Sequence, residues 1–247
     1  MDEQSTGDGV VRARPDRFGF WVAVLTVVFG LVALGIAVST TPRAGPFCPA
    51  ECLDYPYAGA AALVPRDFLW MYPATVMLLT YLILTIVVLA HAVPDRRLPA
   101  MIAAAFALLA VATLVVDYAI ELAVVQPSLL AGESDGVALV SQYNPHGVFI
   151  ALENVGYVAL AVAFVFLSRV VTERGWLILA LRWLLLVAGA LTLVALVVMS
   201  WWFGMDLGYR FEVVAISITW IAVIASSALL AVWLRRPAGA DRGAQER

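Results

Sequence analysis

The sequence predicts an all-α protein, a polytopic transmembrane bundle of six helices with both termini cytoplasmic, and three observations carry that prediction. Hydrophobic residues make up 63% of the 247 and charged residues only 13%, so the mean hydropathy of +0.94 lies far above what a water-soluble domain tolerates. Six apolar stretches are each long enough to cross a bilayer core of about 30 Å at about 1.5 Å per helical residue. The arginines, which supply every basic charge in the chain, crowd to one side of those stretches. With a formal net charge of −3 and no basic field, nucleic acid is excluded as a partner. The lipid bilayer is the partner that composition implies.

The spans are expected at 18–38, 68–92, 98–125, 147–167, 176–202 and 213–234. Their Leu, Ala and Val content over such lengths reads as helix, because barrel strands would be about half as long and would alternate. The first run follows Arg12, Arg14 and Arg17 and resembles a secretory signal. Its apolar core exceeds the usual span of about 7–15 residues, so it is read as a helix that stays. Pro73 falls in the opening turns of the second span, where a proline helps a helix start. The polar, Pro- and Gly-rich segments 41–66 and 126–145 cannot leave backbone groups unsatisfied in hydrocarbon and are expected to be loops. The chain thus divides into an N-terminal tail (1–17), a six-helix domain (18–234) and a C-terminal tail (235–247), with no soluble domain appended.

Orientation follows from charge. Arg12, Arg14, Arg17, Arg96, Arg97, Arg169, Arg174, Arg235, Arg236, Arg242 and Arg247 flank one side of the spans, against Arg43, Arg66 and Arg210 on the other. Positive residues stay cytoplasmic, which places both termini inside the cell membrane. The opposite side carries Glu51, Asp54, Asp67, Glu133, Asp135, Asp206 and Glu212 and is expected to face outward as an acidic surface. Cys48 and Cys52 belong to the first outer loop. Two nearby cysteines on an oxidising face are expected to form a structural disulfide, since redox pairs more often have two intervening residues.

Three carboxylates fall inside apolar spans. Asp117 and Glu121 share one face of the third, and Glu153 lies in the fourth at a similar depth in the outer leaflet. Each costs about 2.5–3.5 kcal/mol at a bilayer centre and needs a partner, a proton or water. One proton shared between Asp117 and Glu153 is the simplest solution. Asn154 and Tyr157 extend the polar stripe, His146 stands at its outer mouth between Pro145 and Gly147, and Arg210 is the arginine within reach from the sixth span. The plain reading is that these groups pair among themselves and lock the bundle. The functional reading is an outward-open acidic site for a small ligand, cation or proton, as in a receptor or transporter. Acid/base chemistry on a lipid or isoprenoid and a non-catalytic accessory subunit are the alternatives. One histidine among carboxylates lacks the paired-histidine spacing of a metal site, and no cofactor is expected.

Residues 117–118, 126–129, 142–147 and 151–153 together resemble a family of uncharacterised multi-pass bacterial membrane proteins. The likeness covers the second to fourth spans and implies no activity. It points to the same polar layer.

Overall fold

The computed structural model describes residues 16–172 and 175–235. The tails expected at 1–17 and 235–247 therefore fall almost wholly outside the described residues. Within those residues every regular element is helical and no strand occurs. Helix α1 spans Arg17–Ser39, α2 Met71–Ala90, α3 Arg97–Ile120, α4 Gln126–Ala131, α5 Val137–Val140, α6 Val148–Leu167, α7 Trp176–Phe203 and α8 Leu207–Arg235. Five helical stretches are long and apolar enough to cross a membrane: Arg17–Ser39, Arg66–Ala90, Pro94–Ala131, Val148–Leu167 and Trp176–Arg235. The last of these, 60 residues long, is α7 and α8. The chain turns between them at Gly204, whose φ of +52° suits glycine, and the two helices pack along each other.

Two boundaries depart from expectation. The segment after residue 125 does not leave the third helix. Residues Glu121–Val125 form a π turn, with the Gln126 N–H bonded to the Glu121 carbonyl, and the helix then runs on through α4. Pro127 explains the turn. In a regular α-helix its ring would meet the carbonyl four residues back, and widening the preceding turn relieves that clash. At the other boundary, α8 starts six residues before the expected 213, which carries Arg210 and Glu212 into the helix.

Each long helix packs against its neighbour in sequence, and α8 closes the ring on α1 while also touching α6. The ends are tied. The Asp16 N–H donates to the Leu234 carbonyl at 3.1 Å, Asp16 Oδ1 caps α1 by accepting from Gly19 N at 3.0 Å, and His91, just past α2, comes within 3.9 Å of Asp16. The start of α1 and the ends of α2 and α8 thus share one end of the bundle. The disulfide-bearing loop and segment 141–147 share the other.

Packing follows membrane logic, in which small residues let helices approach and lipid covers the outer apolar faces. Ala100, Ala103, Ala107, Ala110 and Leu114 form a buried stripe on α3 that lies against α6. Its spacing of three and four residues continues directly to Asp117 and Glu121. The closeness is measurable at Gly156 on α6, where an added Cβ would stand 2.5 Å from Leu114 Cγ.

Candidate functional site

Asp117 and Glu121 continue the buried stripe of α3 and are 1% and 0% exposed. Glu121 Oε1 accepts the backbone N–H of Gln142, which ties the π turn to the 141–147 segment. Asp117 remains within electrostatic reach of Glu153 and Glu121, but its Oδ2 has no hydrogen-bond partner among the described residues. Neither acid is on the wall of the cleft that Glu153 lines.

Glu153, on α6, is the centre of the polar cluster. Its Oε1 accepts from Tyr157 Oη at 2.9 Å and from Tyr118 Oη at 3.2 Å, and the two phenols lie 3.1 Å apart. Tyr157 sits one turn along the same helix, whereas Tyr118 reaches over from α3. Glu212 of α8 lies beside Glu153, its carboxyl within interaction range. Glu153 thus has two acidic neighbours, Asp117 of α3, with which the sequence pairs it, and Glu212 of α8.

Glu153 and Glu212 open onto a cleft of about 250 Å³ at the loop end of the bundle, where α1, α6 and α8 meet. Arg43, Asp67 and Gln142 are also on its wall, with the rings of Trp70, Tyr143, Tyr209 and Trp220. Trp70 stands edge-on to Tyr118 at 5.1 Å and tilted to Trp220 at 5.7 Å, so the aromatic wall continues into the tyrosines that hold Glu153. The cleft thus lies across α1, α6 and α8, and Glu153 connects it to the acids of α3.

The other sequence candidates take structural positions. Asn154 donates from Nδ2 to the Gly208 carbonyl at 3.2 Å and pins α6 to α8. Arg210 lies over the Phe203 ring, 4.7 Å from its centroid. His146 is exposed and off the cleft wall, its backbone N–H held by Asn144 Oδ1 at 3.0 Å. Cys48 and Cys52 lie at disulfide distance, with Cα atoms 5.9 Å apart. The loop they close comes down on the cleft rim. Gly45, at φ +68°, lets it press against Tyr209, where a Cβ would stand 3.0 Å from the ring, and Phe47 packs on the same ring at 6.1 Å.

Outside the apolar spans, Tyr143 donates to Asp67 Oδ2 at 3.3 Å, and Asp67 accepts from Arg66 Nε at 2.9 Å. Burial, and after it the negative charge of Asp67, holds the Tyr143 hydroxyl above the ordinary tyrosine value. It stays a neutral donor throughout the physiological range.

Two residues of the cleft wall were not singled out in the sequence. Glu212 was placed among the outward acids, and Trp220 was passed over. The signal was present in the stripe Glu212, Ala215, Thr219, Ala222 and Ser226, small or polar at helical spacing and all buried. No family model, curated protein or solved structure matches the chain. Fold and cleft define a class, an all-helical protein with apolar spans and a buried acidic pair opening at one end.

Proposed function

We propose that the chain crosses the cell membrane six times, keeps both termini in the cytoplasm, and binds a small cationic ligand in the outward-facing cleft at Glu153 and Glu212. The observation that carries this reading is the pair itself: two buried carboxyls, neighbours on the wall of one cleft. The charges around them are already matched. Asp67 pairs with Arg66, and Arg43 with Glu51 at 3.1 Å. One proton between Glu153 and Glu212 leaves one negative charge for a monovalent cation, which aromatic walls would further stabilise through ring quadrupoles. The arginine asymmetry supports the orientation, and an oxidising exterior suits the Cys48–Cys52 pair.

The test uses purified protein in lipid nanodiscs titrated with tetramethylammonium and read by tryptophan fluorescence, since Trp70 and Trp220 line the cleft. A saturable emission change is expected, with binding weakened at least about tenfold, or about 1.4 kcal/mol, in Glu153→Gln and Glu212→Gln. A parent protein that responds to no cation, while both variants merely melt earlier, would show that the pair only locks the bundle.

A further inference from the structure

The same cleft has a basic corner and an open side, and neither is needed by a simple cation. Arg43, four residues past α1, is held over the cleft by the Leu53 N–H, which donates to its carbonyl at 2.8 Å across the disulfide loop. Its Nη1 is taken by Glu51, but its Nε is buried without a hydrogen-bond partner among the described residues. Trp220 is 1% exposed and its indole N–H is likewise unpartnered. The cleft wall therefore combines two unused N–H donors with a carboxyl pair. That set is complementary to a zwitterion, its anionic oxygens toward Arg43 and Trp220 and its ammonium toward Glu153 and Glu212.

The open side indicates where such a molecule comes from. Leu34 and Val38 of α1 and Ile216 and Ser217 of α8 form one flank of the cleft. Val38 is 77% exposed and Ser217 is exposed too, so this flank reaches the outer face of two apolar helices, where lipid lies. At about 250 Å³ the space falls below the roughly 300–1,000 Å³ of ligand pockets and suits a head group without its acyl chains.

We propose that the cleft holds the ammonium–phosphate head group of a zwitterionic phospholipid from the outer leaflet, phosphate on Arg43 and ammonium on the Glu153–Glu212 pair, with the chains leaving between α1 and α8. This rests on the cation reading above and adds to it the anionic half of the ligand and its membrane origin.

The experiment titrates the protein, in nanodiscs of phosphatidylglycerol, with tetramethylammonium, phosphocholine and lysophosphatidylcholine, correcting the last for partition into empty nanodiscs. Phosphocholine is expected to bind about tenfold more tightly than tetramethylammonium, and the lysolipid about tenfold more tightly again. Arg43→Gln should erase the first gain, so that phosphocholine binds no more tightly than tetramethylammonium to the same variant, while Arg43→Lys keeps part of it. Native mass spectrometry of the unaltered protein, released from mixed phosphatidylcholine and phosphatidylglycerol, should show one retained phosphatidylcholine. If all three ligands bind alike, the lipid inference falls and the cation reading stands. If phosphocholine and lysolipid bind alike, a soluble zwitterion replaces the lipid and the inference falls. If none binds, both readings fall together.

Discussion

Tyr118 and Tyr157 both donate to one oxygen of Glu153 and also touch each other, so the three groups act as one unit. Removing one hydroxyl leaves the other still bonded. Tyr118→Phe or Tyr157→Phe alone should each cost about 1 kcal/mol of unfolding free energy, and the double variant more than the sum, because Glu153 then loses both donors. Denaturant titration in detergent would measure it; strict additivity would mean that the phenols do not support the same carboxyl. Tyr143 gives a pH-dependent counterpart at the loop end. Its hydroxyl is held above the ordinary value near 10 by burial and Asp67, so both states are neutral below that pH and its hydrogen bond is fully present. Above it the unfolded chain ionises first, and stability is lost as pH rises, by at most about 1.4 kcal/mol per pH unit for one proton. Tyr143→Phe should therefore flatten the fall in melting temperature between about pH 10 and 11 relative to the parent. Equal slopes would refute the assignment.

At the level of elements, the approach of α7 to α6 depends on Gly189. A Cβ there would stand 2.6 Å from the Ala161 carbonyl oxygen, and backbone cannot step aside as a side chain can. Gly189→Ala should cost about 1–3 kcal/mol in thermal or denaturant unfolding. Gly35→Ala, with nothing within 4 Å of its Cβ, should be neutral or slightly stabilising through helix propensity. Losses of equal size would mean that α7 is not seated on that contact. Most helix positions were legible because apolar length alone reports a span: the expected 147–167 and 176–202 differ from α6 and α7 by one residue at an end. The π turn was not, since Gln126-Pro127-Ser128 reads as a loop opening until one sees that a widened turn absorbs the proline. Trp70 and Trp233 lie near the ends of their spans and both are buried, which depth alone does not reveal, because it says nothing about which way a helix face turns. Depth also groups Asp117 with Glu153, but it could not show that Glu212 of α8 meets Glu153 from another side.

For the whole molecule, alternating helices put Ser39 and Arg97 at opposite ends of the bundle, both exposed. With the proposed orientation, Ser39→Cys in intact cells should react with a membrane-impermeant maleimide, whereas Arg97→Cys should react only after permeabilisation. The reverse pattern would invert the topology and place the cleft in the cytoplasm. The ring closure of α8 on α1 has a consequence in time. Helix α1 is made before α2 to α7, and α8 after all of them, so two of the three helices that form the cleft are partners separated by nearly the whole course of synthesis. Throughout that interval α1 waits in the membrane with the flank carrying Gly30, which an added Cβ would drive to 2.7 Å from Ile224, still uncovered. The cleft therefore cannot exist on a nascent chain, and under the proposed function a ribosome stalled before residue 207 leaves a product with no place to hold a ligand.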